Sequence, residues 1–276
     1  MNSDIFNRSS ERSLIYNLSA ALRNNISVMR MASDLIEANL KGSYIAPELE
    51  TYFSMFLHSY YSLNRVAGNL SLLSEILSGN FKPDYERTDV LKLSETIVYD
   101  TNLVTSEKVA RVDFKTSVES LNIITDPTVV EFILYNLISN SLKYTSADGN
   151  ITVKVDKSES SFILSVVDTG CGMEPEKIED VFSLSGRLNE LTDVKGGVGI
   201  GLFLVQEISK ALGGHTVIDS TKNKGTTVTV SLPIVYDDSL LFKTKLTKYN
   251  EDNITTLLTE LADVLDYNNY KPKFLD

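Results

Sequence analysis

Apolar residues in the N-terminal part of the chain recur with the spacing of helices buried along one stripe. Ile15, Leu18, Leu22, Met29, Ala32 and Ile36 are separated by 3, 4, 7, 3 and 4 positions, with polar Asn25 in the skipped place. This spacing predicts one long helix over 11–40. Gly42 and then Pro47 mark a turn. Tyr52, Phe56, Ser59, Leu63, Val66, Leu70, Leu73 and Leu77 follow in unbroken 4-3 alternation, with Ser59 the sole polar member, and predict a second helix over 48–78. Two long helices joined by a short turn make an antiparallel hairpin. Each has so wide an apolar face that the hairpin alone would leave apolar area exposed, and pairing two hairpins into a four-helix bundle, hence a homodimer, is the expected remedy. An intramolecular bundle, or an arm lying on the rest of the chain, is the alternative.

Beyond Pro83 the period changes. A linker leads to a helix over 88–100. Segments 112–118, 121–125, 151–155, 162–167, 215–220 and 226–232 alternate or run apolar as strands do. Strands grouped with segregated helices predict an α+β domain with a mixed sheet. Three regions result: a helical hairpin over 1–82, an α+β domain over 83–235 and a C-terminal extension over 236–276. The extension carries one amphipathic helix near 254–265 and a tyrosine-rich end at Tyr267 and Tyr270.

Within the α+β region, Val129, Val130, Ile133, Leu134, Leu137, Ile138 and Leu142 predict a helix over 126–145 with one side buried. Asn136, Asn140 and Lys143 stand at i, i+4 and i+7 on another face. A solvated face would account for them. Yet asparagine is a mediocre helix former, and two of them one turn apart suggest chemistry. Asn140 can offer a neutral oxygen to Mg²⁺, and Lys143 can neutralise a phosphate. Three glycine-bearing loops lie nearby in sequence. Asp168-Thr169-Gly170-Cys171-Gly172 follows a strand, Gly196-Gly197-Val198-Gly199-Ile200-Gly201 opens a helix at Leu202, and Gly225-Thr226-Thr227 begins a strand. Glycines before a helix let backbone N–H groups approach an anion at the positive end of the dipole, so the second loop is the candidate phosphate cradle.

Composition narrows the reading. A formal net charge of −11 argues against nonspecific nucleic-acid binding and against docking on anionic lipid. No apolar run approaches the roughly 18 residues of a membrane span, and the N-terminus lacks a signal peptide's basic and apolar regions. The single cysteine, Cys171, excludes an internal disulfide framework. A cytoplasmic protein is expected.

Four segments carry a resemblance. NLISNSLKYT (136–145), DTGCGM (168–173), GGVGIGL (196–202) and GTTVTV (225–230) resemble the N, G1, G2 and G3 boxes of the histidine-kinase catalytic domain, a Bergerat-type ATPase fold of α/β-sandwich form. The resemblance implies that ATP and Mg²⁺ are the cofactors. Asp168 would receive the adenine amino group, Asn140 would ligate Mg²⁺, and Lys143 would sit near the phosphates. Tyr144, Met173, Ile200 and Leu202 would help line the pocket, Gly170, Gly172, Gly197, Gly199 and Gly201 would shape the loops, and Thr226 would lie beside the base. Phe182 resembles the F box ahead of a mobile ATP lid over 183–195. In the ATP-hydrolysing relatives a glutamate stands one turn before the magnesium asparagine. Here that place holds Asn136, which disfavours rapid hydrolysis.

The hairpin resembles the dimerisation and phosphoacceptor domain of the same kinases, most clearly over 69–93. Against the family's H box the chain reads Ser19-Ala20-Ala21-Leu22-Arg23-Asn24-Asn25-Ile26. Ala20 occupies the acceptor's place and Ala21 that of its acidic neighbour, and alanine has no nucleophile. Of the two histidines, His58 is expected to be packed or on the surface rather than a relocated acceptor, and His215 to be a loop-end residue. The resemblance implies a two-component kinase that passes the ATP γ-phosphoryl to a histidine and on to a response regulator. Its alternatives are a degenerate kinase acting as a nucleotide-regulated dimeric adaptor and, less favoured, a serine kinase of the anti-sigma type.

Overall fold

The computed structural model describes residues 22, 26–27, 29–31, 33–34, 36, 47–105, 109–182, 200–235 and 251–270. The chain divides into two compact units, 1–81 with 261–276, and 82–260.

In the first unit the described residues between Leu22 and Ile36 are helical, and helix α1 spans Pro47–Ser78. Ile26 and Ser33 of the earlier helix are buried, as are Leu57, Tyr60, Tyr61, Ala67 and Leu73 of α1. Arg30 donates to the Tyr61 hydroxyl at 3.4 Å and pairs with Asp34 at 3.1 Å. The 4-3 stripe of α1 has a different fate at its two ends. Leu73 is 2% exposed, whereas Tyr52 is 66% and Leu63 39% exposed, next to exposed Leu49 and Met55. Most of the N-terminal half of the stripe thus has no apolar cover among the described residues of this chain.

The second unit opens with strand β1 (Glu86–Asp89) and helix α2 (Val90–Val104), whose first turn is capped by the Asp89 carboxylate accepting from the Lys92 N–H. Strand β2 (Arg111–Thr116) and strand β3 (Asn122–Thr125) follow, then helix α3 (Pro127–Tyr144). The segment expected as a strand over 121–125 does form one, but outside the main sheet. It pairs antiparallel with β1, whose first two residues fall in the stretch read as linker and whose last two fall in the helix expected over 88–100, with Glu86 opposite Thr125 and Asp89 opposite Asn122. Pro127 at the first turn of α3 pre-sets the helical φ and gives up no bond there. Asp126 caps the turn through Oδ1, which accepts from Thr128 at 2.9 Å and Val129 at 3.4 Å.

The main sheet comprises β2, β4 (Asn150–Lys157), β5 (Ser161–Asp168), β6 (His215–Thr221) and β7 (Gly225–Pro233), in the order β2-β4-β5-β7-β6. β2 and β4 run parallel and the other pairs antiparallel, so the sheet is mixed. Period-2 alternation turns Phe162, Leu164 and Val166 of β5 to one face, opposite Leu232, Val230 and Val228 of β7, and all six are buried. On the other face Ser165 and Thr229 share a hydrogen bond of 3.1 Å between hydroxyls. Helices α2, α3 and α5 (Gly201–Ala211) form the covering layer: α2 meets β2 and β4, α3 meets β4 and β5, and α5 meets β6 and β7. The short helix α4 (Pro175–Asp180) precedes Phe182, and helix α6 (Glu251–Glu260) packs on α3. The architecture is the expected α+β, a helical region followed by a helix-on-sheet sandwich.

The helix of the C-terminal extension ends at Glu260 rather than near Leu265, and residues 261–270 group with the hairpin unit.

Asp126 ties the start of α3 to the preceding chain, since its Oδ2 accepts from the Asp84 N–H at 2.8 Å. Asp126→Ala is expected to lower stability by about 1–2 kcal/mol, and Asp126→Asn by less, read from the urea midpoint followed by circular dichroism. Equal midpoints for parent and alanine variant would contradict this capping role.

Candidate functional site

The site is built around the last residue of β5. The alternation that buries Phe162, Leu164 and Val166 carries on to Asp168, so a carboxylate ends an apolar ladder on the helix side of the sheet, only 9% exposed. A carboxylate so placed is costly unless its oxygens are satisfied. Oδ1 accepts from the Gly170 N–H at 2.9 Å and the Thr226 N–H at 3.1 Å, and Oδ2 accepts from the Ser141 hydroxyl at 3.0 Å. A carboxylate offers about four acceptor positions. The described residues therefore use three and leave room on Oδ2 for one further donor.

The loops around this carboxylate are fastened to one another. The Cys171 N–H donates to the Tyr144 carbonyl at 3.1 Å, joining the 168–173 loop to the end of α3. The Asn223 N–H donates to the Cys171 carbonyl at 2.7 Å, and the Met173 N–H to the Ser220 hydroxyl at 2.9 Å, joining the same loop to the β6–β7 turn. Ser220 and Thr226 share a further bond of 2.9 Å between hydroxyls. Gly225 has φ +112, and a Cβ there would overlap the Asp168 carbonyl, so β7 can come this close to β5 only with glycine at its first position.

Helix α3 supplies one wall. The polar stripe expected along it is graded: Asn136 is 1% exposed, while Asn140 and Lys143 are half-buried. Asn136 donates through Nδ2 to the Phe132 carbonyl at 2.8 Å, and its Oδ1 lies where a Cβ on Gly201 would fall. It therefore sits in the seam between α3 and the first turn of α5. Lys143 Nζ lies 5.5 Å from the ring centroid of half-exposed Tyr144, within cation–π range. Ile200 and Leu202, at the start of α5, are buried.

The structure thus brings Asp168, Gly170, Met173, Tyr144 and Thr226 together, with Asn136 and Gly201 against each other in the adjoining seam. Gly172 adopts φ +59 in the same loop. Gly197, Gly199, the expected lid over 183–195, Ala20 and Ala21 lie outside the described residues. Ser141, Ser220 and Asn223 belong to this framework, and sequence reasoning does not single them out. Ser141 directly follows Asn140, but nothing in the spacing marks it as the partner of a carboxylate 27 residues later. Among the described residues no cluster of histidine, cysteine and carboxylate groups suits an all-protein metal site. A cation here would rely on Asn140 and on oxygens of its own ligand, the arrangement Mg²⁺ favours with phosphates.

Neither histidine is part of this framework. His215 opens β6, exposed. His58, on α1, hydrogen-bonds through Nε2 to the Ala262 carbonyl at 3.1 Å and meets the ring of Tyr270 edge-on at 5.2 Å.

Residues 125–235 match the family model described as histidine kinase-, DNA gyrase B-, and HSP90-like ATPase. The chain is 29% identical over 228 residues to the sensor histidine kinase WalK of Bacillus subtilis, covering 80% of this chain and 36% of WalK. It is 35% identical over 103 residues to the sensor histidine kinase RppB of Synechocystis, covering 37% and 23% of the two chains. The chain therefore spans about a third or less of the length of these relatives. Among solved structures, full-length ShkA in complex with AMPPNP aligns with a TM-score of 0.65 at 19% identity, covering 82% of this chain and 46% of that one. The histidine kinase AdeS of Acinetobacter baumannii aligns with a TM-score of 0.54 at 20% identity, covering 78% and 98%. At such identities these likenesses speak for the fold. Among the described residues no helix is long and apolar enough to cross a membrane. Residues 125–235 are thus similar to the histidine kinase-, DNA gyrase B-, and HSP90-like ATPase family, and the chain as a whole resembles sensor histidine kinases in sequence and in fold.

Proposed function

We propose that the chain is a two-component signalling core that binds ATP with Mg²⁺ and serves transfer of the γ-phosphoryl to a histidine and on to a response-regulator aspartate. The observation that carries the nucleotide reading is the Asp168 carboxylate, fixed by Gly170, Thr226 and Ser141 with an acceptor position to spare. An exocyclic amine such as adenine's fits that position, whereas the carbonyl of guanine would meet an oxygen. Asn140 is the residue to ligate Mg²⁺, and Lys143 the one to neutralise phosphate. Asn136 supports transfer over hydrolysis, because an amide cannot take a proton from water and this one is held in a seam. ShkA, whose fold this chain resembles, is seen in complex with AMPPNP.

The exposed stripe from Leu49 to Leu63 supports a homodimer through the hairpin, completing a four-helix bundle. The acidic balance and the single cysteine fit a cytoplasmic protein without nucleic-acid partners. A second reading has its own support. Ala20 cannot carry a phosphoryl group, and the hydrogen bond from His58 to Ala262 occupies the one ring nitrogen with a described partner. In that reading the chain is a degenerate kinase, an adaptor whose grip on a regulator depends on bound nucleotide.

Calorimetric titration with a nonhydrolysable ATP analogue is expected to give magnesium-dependent binding, and no heat with magnesium present would end the nucleotide reading. Asn140→Ala should abolish the dependence on magnesium. Asp168→Asn should lower the preference for adenine over guanine nucleotides by about tenfold or more, roughly 1.4 kcal/mol per factor of ten.

Light scattering at tens of micromolar should report a dimer, and Leu63→Glu with Leu70→Glu a monomer, because each places a charge in an apolar seam. A monomeric parent would remove the bundle.

With γ-labelled ATP, Ala20→His plus Ala21→Glu should acquire acid-labile, alkali-stable label that the parent lacks, and Ala20→His alone should label more slowly for want of the carboxylate that takes its proton. Label on the parent that disappears in His58→Ala would mean the acceptor has moved. No label on any version, with nucleotide bound, decides for the adaptor.

A further inference from the structure

Among the described residues the C-terminal extension supplies none of those placed around Asp168, yet it holds some of the best-buried side chains. Leu261, Ala262 and Leu265 are buried, and Tyr270 is 1% exposed. All four lie in the hairpin unit, where residues 267–270 pack on α1. The contact is specific rather than merely greasy. The Tyr270 ring meets those of His58 at 5.2 Å and Tyr61 at 5.3 Å. The Arg65 guanidinium, 7% exposed on the same side of α1 two turns after His58, pairs with the Asp263 carboxylate at 2.7 Å. His58 hydrogen-bonds to the Ala262 carbonyl. Residues 58, 61 and 65 follow one another at helical spacing, so a single stripe of α1 receives the whole segment. The local backbone aims the last anchor: a 3₁₀ turn, Tyr267–Asn269, capped by the Asp266 carboxylate accepting from the Asn268 N–H at 2.9 Å, delivers Tyr270. Burial raises the Tyr270 phenol above its ordinary pKa, with Tyr61 and Asp263 adding to it.

The residues just before this segment are fixed elsewhere. Helix α6 packs on α3 within the ATP-binding unit, with Leu257 and Thr259 buried. Glu260 is the last residue of one unit and Leu261 the first of the other. The chain therefore passes between its two units twice, at Phe81–Lys82 and at Glu260–Leu261, and at the second passage the buried Leu261 directly follows the last residue of α6.

We propose that residues 261–270 are a strap: by docking on the His58, Tyr61 and Arg65 stripe of α1 they make the second join hold, and so restrict how far the ATP-binding unit moves against the hairpin. One join leaves a unit free to pivot through whatever its linker allows. A second join, where the docked segment begins directly after α6, confines it to motions that leave both anchorages intact. The Arg65–Asp263 pair is the part most open to release, because a buried charge that loses its partner destabilises the docked state. The inference goes beyond the nucleotide reading and does not depend on it.

The test is a distance distribution between spin labels at Glu75→Cys and Lys115→Cys, in a Cys171→Ser background, without nucleotide and diluted into unlabelled chain. The parent should give a narrow distribution. Asp263→Arg and Tyr270→Ala should broaden it, and Arg65→Asp combined with Asp263→Arg should narrow it again by restoring the pair in reverse. Hydrogen exchange at the amides of residues 57–65 should rise in the two single variants and fall back in the charge-swapped one. If the hairpin loosens as a whole in a single variant, circular dichroism will register lost helix, and repair by the charge swap would still assign the effect to the strap. A parent distribution already as broad as those of the variants, or variants as narrow as the parent, would overturn the proposal.

Discussion

The α+β unit depends on one buried carboxylate being answered by hydrogen bonds. Asp168 ends a strand whose inward residues are otherwise apolar, and an unanswered charge in that place would cost more than the neighbouring side chains could offset. Its three hydrogen bonds come from its own loop, from β7 and from α3, with donors up to 58 positions from Asp168 along the chain. Together the three donors draw the 168–173 loop, β7 and α3 to the same carboxylate. Asp168 is therefore a closing point of the fold as well as the residue proposed to recognise a nucleotide, and under that proposal its substitution is read as a preference between nucleotides rather than as affinity alone.

Much of this is legible in the sequence because it rests on periodicity. The parity that places Asp168 beside Val166 and Leu164 is visible in the letters, as is the helical spacing of α3. What is not legible depends on pairings that local sequence does not encode. Glu86–Asp89 is short and charged and reads as linker running into a helix, and it becomes a strand only because Asn122–Thr125 lies free to pair with it. Asn136 reads as the first member of an exposed stripe. It is buried because Gly201 lets α5 start against it, and nothing in the spacing of α3 announces a glycine 65 residues later. Periodicity sets the end of α6 too late because Leu261 and Leu265 continue a helical pattern, although they pack in another unit.

Apolar periodicity reports burial without naming what provides it, and α1 makes the point twice. One of its stripes, His58, Tyr61 and Arg65, is received by a segment two hundred residues downstream. Another, Tyr52 to Leu63, is left largely uncovered by the described residues of the chain. Both stripes are helical in spacing, and only the second has the unbroken 4-3 alternation of a coiled-coil seam. The first includes a histidine and an arginine, which are tolerated in a buried stripe when a carbonyl and a carboxylate are delivered to them. Charged and aromatic residues at helical spacing can therefore mark an intramolecular docking stripe where a seam of aliphatic residues marks a helix partner.

The position that the histidine-kinase resemblance gives to the acceptor obeys neither rule. Ala20 lies between Leu18 and Leu22 in sequence and outside the 3-4 spacing that they belong to. Spacing therefore carries no information on which residue stands there, and histidine and alanine read alike in the apolar pattern. The hydrogen bonds that hold the Asp168 carboxylate come from Ser141, Gly170 and Thr226, all within residues 82–260. Periodicity and the Asp168 framework thus speak for the fold, and the phosphoacceptor chemistry rests on a single letter that neither of them includes.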